Sequence, residues 1–133
     1  MCKGDLFSLL QKKVPGVHWN AYGSRIALQI AKAVAAMHEM RIIHRDLKTP
    51  NILVGHGFHV KVGDVGLAKR LAPNNALLAV NDEKYSTFWA APEILMQKEI
   101  GSKSDIYRYF WCYCFTHTYY FFLTTYFVLS VLV

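Results

Sequence analysis

The amino-acid sequence predicts an α+β fold that is mainly helical. Residues 24–40 carry apolar side chains at three- and four-residue spacing, which is the pattern of an amphipathic helix. Three short apolar runs follow at residues 42–43, 52–54 and 60–62, and each has the length and composition of a strand. With 133 residues, the chain is one domain at most, or part of one.

Two helices are predicted in the first third of the chain. Residues 5–12 form the first, which ends before Pro15 and Gly16. Residues 24–40 form the second, with Ser24 as the predicted N-cap. Its apolar face consists of Ile26, Ile30, Ala33 and Met37. We assign this face to the core and not to a cofactor site.

The composition limits the classes of partner. The chain has 15 basic and 9 acidic residues, and its net charge of +6 suits an anionic ligand without specifying one. No basic run is interleaved with aromatic residues, which argues against a nucleic-acid partner. The three cysteines have neither disulfide nor zinc spacing and indicate a reducing compartment, so we expect a cytoplasmic protein.

Three short motifs follow one another along the chain. Residues 44–51, His-Arg-Asp-Leu-Lys-Thr-Pro-Asn, place an acid, a cation and an amide within eight residues. Asp64-Val65-Gly66 begins eighteen residues after Asp46, and Ala91-Pro92-Glu93 follows after a further 24 residues. Each motif alone has an ordinary interpretation, since Asp46 could cap a turn and Asp64 could be a turn residue. Their joint occurrence is what indicates a function.

In this order and at this spacing, the motifs resemble those of the eukaryotic protein kinase family. The loop is similar to that of the serine/threonine type and, within it, to the tyrosine-kinase-like group. The resemblance covers residues 1–107 and implies the mainly helical large (C-terminal) lobe of a protein kinase, truncated and with the small lobe absent. Residues 108–133 are an apolar, aromatic tail whose status is open.

The resemblance implies transfer of the γ-phosphate of ATP to Ser or Thr hydroxyls of a protein substrate. Asp46 would be the catalytic base, and Lys48 would contact ATP and stabilise charge on the transferring phosphoryl group. Asn51 and Asp64 would bind Mg²⁺, a hard cation that prefers oxygen ligands such as theirs. The implied cofactors are therefore ATP and Mg²⁺.

Three further acidic or apolar residues have two interpretations each. The resemblance places Asp5 at the ATP ribose, whereas the alternative is that Asp5 only caps the first helix. It places Leu53 beneath the adenine, whereas the alternative is plain core packing. It matches Asp105 to a carboxylate that anchors the backbone of the catalytic loop, although Asp105 also suits a simple helix N-terminus.

Residues 67–90 are expected to form an irregular segment with a regulatory role. Tyr85, Ser86 and Thr87 offer hydroxyls, and Arg45 could pair with a phosphate placed in this segment. Ser86 falls where the family keeps a Ser or Thr that faces the catalytic acid and lysine. The alternative is a set of exposed hydroxyls with no role.

Several features depart from the family pattern. No Gly-rich phosphate loop precedes the catalytic loop, and Val65 replaces the usual Phe. Glu93 is expected to lack its arginine partner, because no Arg follows Arg108. We therefore expect little or no activity from this chain alone. The alternative function is that of a non-catalytic, pseudokinase-like interaction module.

Residues 109–133 contain no Asp, Glu, Lys or Arg and allow two interpretations. As a helix they would extend about 37 Å, enough to cross a hydrocarbon core of roughly 30 Å and to anchor a cytosolic kinase-like part to a membrane. The other interpretation is a truncated or misassembled gene product, whose aromatic and β-branched tail is an aggregation hazard.

Overall fold

The computed structural model describes residues 2–74, 77–78, 86–96 and 99–117. The α-helices in these ranges are α1 (Leu6–Gln11), α2 (Ser24–Glu39), α3 (Pro92–Leu95) and α4 (Ser102–His117). The strands are β1 (Cys2–Asp5), β2 (Ile42–Ile43), β3 (Ile52–Gly55), β4 (Val60–Val62) and β5 (Lys69–Arg70). This mixture of helix and strand, with more residues in helices, confirms the predicted α+β content.

The first helix, α1, is capped by Asp5. The Asp5 carboxylate accepts hydrogen bonds from the backbone N–H of Ser8 at 2.8 Å and from its hydroxyl at 2.7 Å. Burial by itself would raise the pKa of the Asp5 carboxyl, but the bonds from Ser8, from its own backbone N–H and from that of Phe7 together lower this pKa below its ordinary value. The predicted capping role of Asp5 is confirmed.

The second helix, α2, follows directly on a π-helical turn, Trp19–Gly23. Gly23, the residue before Ser24, already has helical backbone angles (φ −58°, ψ −43°), and no side chain caps the helix here. The prediction of Ser24 as N-cap is therefore wrong, because the chain is helical before it reaches Ser24. The buried residues of α2 are Ile26, Ala27, Ile30 and Val34. Of the predicted apolar face, Ala33 and Met37 are only half-buried.

Three strands form a small antiparallel sheet in the order β1-β3-β4, and β2 pairs separately with β5. In β3, Ile52 and Val54 are fully buried, whereas Leu53 between them is 41% exposed. This alternation is the normal consequence of strand geometry, in which successive side chains point to opposite faces. Plain core packing of Leu53 is therefore the wrong interpretation.

The fourth helix, α4, packs against α2 and contributes to the main core. Cys112 is fully buried in the cluster that contains Leu6, Ile26 and Ile30, and Tyr109 packs against the same cluster. Residues 109–117 of the apolar tail thus continue α4 and belong to the packed fold, while residues 118–133 lie outside the described part. Among the described residues, no helix has both the length and the hydropathy that crossing a bilayer requires.

The short helix α3 is tied to α4 by a polar contact. Ser104 Oγ donates a hydrogen bond of 2.6 Å to Glu93 Oε1. The expectation concerned an arginine partner, and the contact that the structure shows for the Glu93 carboxylate is this hydroxyl from the start of α4. A second apolar cluster consists of Ala90, Ala91, Ile94 and Ile100, with Leu78 packed against it.

Candidate active site

The polar loop 44–51 lies between β2 and β3 and is held by α4. Asp105 Oδ2 accepts the backbone N–H of His44 at 2.8 Å, and Asp105 Oδ1 accepts that of Arg45 at 2.9 Å. The Asp105 side chain is fully buried, and buried carboxylates are stable only when such partners satisfy them. The anchoring role predicted for Asp105 is confirmed.

Two histidines extend this anchor. His38 on α2 places Nε2 2.9 Å from Asp105 Oδ2. His44 places Nε2 3.0 Å from the carbonyl oxygen of Gly63, while its Nδ1 lies 3.3 Å from the backbone N–H of Asp46. A carbonyl only accepts and an N–H only donates, so these partners require a proton on His44 Nε2 and a lone pair on Nδ1. The ring of His44 therefore joins the loop 44–51 to Gly63 at the end of β4.

The Asp46 carboxylate is the centre of a buried polar cluster. Its Oδ2 lies 2.7 Å from Lys48 Nζ and accepts a hydrogen bond of 3.2 Å from Asn51 Nδ2. The same Nδ2 donates to the backbone carbonyl of Asp46 at 2.8 Å. The Asp46 side chain is only 8% exposed. The structure thus brings together three of the predicted site residues, Asp46, Lys48 and Asn51.

Lys48 also connects the loop to the segment before α3. Lys48 Nζ donates a hydrogen bond of 2.6 Å to Ser86 Oγ, and the Lys48 side chain keeps 20% exposure. Ser86 therefore faces the lysine as the resemblance implied. Thr87 is exposed and begins a single turn of 3₁₀ helix, Thr87–Trp89. Tyr85, the third predicted regulatory hydroxyl, lies outside the described residues.

Asp64 is connected to Asn51 through the backbone of its neighbour Gly63. The backbone N–H of Gly63 donates to the Asn51 carbonyl at 2.8 Å, and Asp64 follows in the left-handed conformation with φ 52°. The Asp64 side chain is exposed. A non-glycine residue in this conformation is uncommon and occurs preferentially for Asp and Asn.

The donor set fits a magnesium ion. Because both hydrogen bonds of Asn51 Nδ2 go to Asp46, the oxygen Oδ1 is the atom of the Asn51 amide left to coordinate a cation. Asp64 supplies an exposed carboxylate one residue after Gly63, whose backbone N–H is bound to the Asn51 carbonyl. Among the described residues, no three His, Cys, Asp or Glu side chains come together as a metal site. Magnesium is commonly held by one or two protein oxygens together with phosphates and water, so oxygen donors of this kind match its ligand preference.

The two residues predicted to contact the nucleoside are neighbours. Asp5 of β1 and Leu53 of β3 are register partners in the sheet. Leu53 is exposed, whereas both carboxylate oxygens of Asp5 accept hydrogen bonds from Ser8. Arg45, predicted as a phosphate partner, is buried and donates from Nη1 to the Leu67 carbonyl at 3.2 Å.

Arg108 is a component of the site that the sequence patterns did not identify. Its guanidinium is fully buried on α4, and Nη1 lies 3.6 Å from Asp46 Oδ1. The available signal was the spacing from Asp105, because residues three apart share one helix face. Asp105 and Arg108 both face the loop 44–51. Asp105 contacts its backbone, and Arg108 contacts the carboxylate of Asp46.

The sequence is similar to known proteins along most of its length. A family model described as protein tyrosine and serine/threonine kinase matches residues 1–115. A probable serine/threonine-protein kinase of Dictyostelium discoideum is 36% identical over 109 residues, which cover 82% of this chain and 6% of that relative. A mitogen-activated protein kinase kinase kinase of Pyricularia oryzae is 38% identical over 85 residues, covering 59% of this chain and 9% of the relative.

A third relative, a probable serine/threonine-protein kinase of Arabidopsis thaliana, is 42% identical over 88 residues, which cover 64% of this chain and 20% of the relative. The chain therefore spans a fifth or less of the length of these three proteins.

Proposed function

Because this chain belongs to the protein tyrosine and serine/threonine kinase family, we propose that it carries the catalytic-loop part of a protein serine/threonine kinase, an enzyme that transfers the γ-phosphate of ATP to Ser or Thr hydroxyls of proteins. The observation that carries this proposal is the cluster in which Asp46 Oδ2 contacts both Lys48 and Asn51. In phosphoryl transfer, the protein contributes mainly positioned groups and positive charge near the phosphates, and little covalent chemistry of its own.

In this proposal, Asp46 orients the substrate hydroxyl and accepts its proton. Lys48, which is partly exposed and shared with Ser86, turns toward the transferring phosphoryl group and stabilises its charge. Asn51 and Asp64 hold Mg²⁺ through oxygen atoms. When bound, the metal supplies positive charge to the phosphate oxygens.

We place the adenosine part of ATP on the exposed face of the β1–β3 pair. Leu53 is 41% exposed there and offers an apolar surface for the adenine. Asp5 is its register partner, and a ribose hydroxyl would donate to a carboxylate lone pair that Ser8 leaves available. Asn51, the proposed metal ligand, directly precedes β3, which is the strand that carries Leu53 and pairs with that of Asp5.

We propose that the 133 residues alone turn over little or no substrate. The sequence has no Gly-rich phosphate loop, so the exposed Leu53 and Asp64 would contact the nucleotide from one side. Tight ligand binding normally requires burial of most of the ligand surface. We also propose a cytoplasmic location, which the spacing of the three cysteines supports because it matches neither a disulfide framework nor a zinc site.

For regulation, we favour Thr87 over Ser86 as a site of modification. The Thr87 side chain is exposed, whereas the Ser86 hydroxyl accepts a hydrogen bond from Lys48. Arg45 could pair with an added phosphate only after its buried guanidinium leaves the Leu67 carbonyl. A phosphate in this segment would therefore have to change the structure around the catalytic loop.

The metal and nucleotide site is tested by a thermal shift of the purified chain with ATP and Mg²⁺ together. We expect the pair to raise the melting temperature, and we expect Asp64→Ala to abolish the increase. Glu99→Ala, which removes another exposed carboxylate, serves as the matched control and should keep it. An unchanged increase in Asp64→Ala would contradict the assigned metal site.

The low activity proposed for these 133 residues is tested by transfer of radiolabelled phosphate to a protein substrate. We expect the chain to transfer no more phosphate than its Asp46→Asn variant. Turnover well above that variant would contradict our proposal of little activity, and it would at the same time establish Asp46 as essential.

The second candidate function is a non-catalytic interaction module. The observation that favours it is the exposure of four large apolar side chains, Leu95 and Met96 at the end of α3 and Ile106 and Phe110 on α4. Exposed apolar patches commonly mark contacts with other proteins. Absence of any thermal shift with ATP and Mg²⁺ in the unmodified chain would favour this function over the catalytic one.

A further inference from the structure

A buried arginine faces the proposed catalytic base from the side opposite Lys48. Arg108 Nη1 lies 3.6 Å from Asp46 Oδ1, whereas Lys48 Nζ lies 2.7 Å from Oδ2. Each oxygen of the carboxylate therefore has a cation of its own. The distance to Arg108 is that of an ion pair and is longer than a hydrogen bond.

The two cations differ in their surroundings. Lys48 is 20% exposed and also contacts Ser86, so it can change partner at little cost. Arg108 is 0% exposed and is held on the inner face of α4. Breaking a buried ion pair is costly, because the interior does not solvate the separated charges as water does. Arg108 is therefore the fixed partner of Asp46, and Lys48 is the exchangeable one.

The position of Arg108 on α4 explains how it reaches the loop. Asp105, three residues earlier, accepts the backbone N–H groups of His44 and Arg45. Arg108 lies on the same helix face and meets the side chain of the next loop residue, Asp46. Consecutive loop residues are thus held by one helix, first through the backbone and then through a carboxylate.

We propose that Arg108 is a positioning residue for Asp46. It keeps the carboxylate in one orientation when Lys48 moves to a phosphoryl group, so that Oδ2 stays in contact with Asn51. The inference deepens the proposed kinase function and rests on it for its catalytic meaning. The contact between Arg108 and Asp46 can nevertheless be measured without nucleotide.

The side-chain amide of Asn51 reports the orientation of Asp46, because Nδ2 donates to Asp46 Oδ2 at 3.2 Å. In ¹H–¹⁵N spectra of the full chain, we expect Arg108→Met to move the Asn51 Nδ2–H resonances by more than their linewidth. Arg108→Lys keeps a buried cation and should return them toward the original position. Arg25→Met, at an exposed arginine of α2, is the matched control and should leave them in place.

The backbone amides of His44 and Arg45 separate positioning from general packing. Both are bound to Asp105 and should keep their resonances in Arg108→Met. Shifts of these amides as large as those of Asn51, or an Arg108→Lys spectrum equal to that of Arg108→Met, would overturn the proposal. So would an Asn51 side-chain signal that does not move in folded Arg108→Met.

A second measurement covers the case in which Arg108→Met does not fold. The Asp46→Asn variant keeps Arg108 and nearly the same side-chain shape, and we expect the ¹⁵N resonances of the Arg108 guanidinium to move in it. Unchanged guanidinium resonances would overturn the proposal. If these spectra behave as expected while ATP and Mg²⁺ give no thermal shift, the positioning contact stands and the proposed nucleotide site of this chain fails.

Discussion

The Asp105 carboxylate on α4 accepts the backbone N–H of His44, 61 positions earlier in the chain, at 2.8 Å. This bond and the neighbouring one to Arg45 attach the loop 44–51 to helix α4. Within this loop, residues 44–48 belong to no helix or strand, and only Thr49–Asn51 form a 3₁₀ turn. The geometry around Asp46 therefore depends on α4 as much as on the loop sequence.

Removing the Asp105 carboxylate should destabilise the protein. In Asp105→Ala, the buried N–H groups of His44 and Arg45 lose their acceptor, and each such loss costs about 1–3 kcal/mol. We expect the free energy of unfolding, measured by urea denaturation, to fall by about 2–5 kcal/mol. Lys103→Ala, at an exposed position of the same helix, should change it by less than about 0.5 kcal/mol. Equal effects of the two substitutions would rule out an anchoring role for Asp105.

The cap at Asp5 should make stability depend on pH in the acidic range. Asp5→Ala removes the N-cap of α1 and should lower the free energy of unfolding near neutral pH by about 0.5–2 kcal/mol. Asp5→Asn should lower it less, because Asn is a comparable N-cap residue.

The sign of the pH effect follows from the lowered pKa of Asp5 in the folded state. On acidification below the ordinary value of 3.8, the unfolded chain takes up the proton first, so the contribution of Asp5 is present above that pH and is lost as the pH falls through the folded-state pKa. We expect the stability difference between the wild type and Asp5→Ala to shrink over this range in denaturation curves. A difference that is constant with pH would contradict the charged cap.

The hydrogen bond between Ser104 and Glu93 should couple α3 to α4. Ser104→Ala removes the donor and should lower the free energy of unfolding by about 1–2 kcal/mol, since hydrogen bonds to charged groups are worth more than neutral ones. A double-mutant cycle with Glu93→Ala measures the contact itself and should give a coupling of about 1 kcal/mol. Additive single effects would mean that the two side chains do not stabilise each other.

The thiol of Cys112 should be unreactive in the folded protein. Burial raises the pKa of Cys112 to about 12, and the nearby charge of Arg108 offsets only part of this effect. Because the thiolate is the reactive form, iodoacetamide at pH 8 should modify Cys112 only after unfolding. Site-resolved mass spectrometry of the Cys114→Ser variant, with and without guanidinium, measures this. Rapid modification in the absence of denaturant would show that α4 does not bury Cys112.

Local patterns predicted much of the secondary structure. The apolar spacing of residues 24–40 located α2, and the short β-branched runs located β2, β3 and β4, because these signals depend on neighbours within one or two turns. The predicted start of α2 at Ser24 agrees with the structure, but the predicted N-cap role of Ser24 is wrong, since a π-helical turn precedes the helix and no side chain caps it. The exposure of Leu53 also required the structure, because a run of three apolar residues does not tell which face of a strand is buried.

The sequence by itself determined which residues form the centre of the candidate site. Asp46, Lys48 and Asn51 fall within one short loop, so their proximity follows from chain connectivity, and the structure brings them together around one carboxylate oxygen. Only the tertiary structure decided that Arg108 faces Asp46 and that Ser104 meets Glu93. The physical reason is that these contacts depend on how α4 packs against the loop and α3, and packing between elements distant in the chain is not encoded in any local spacing.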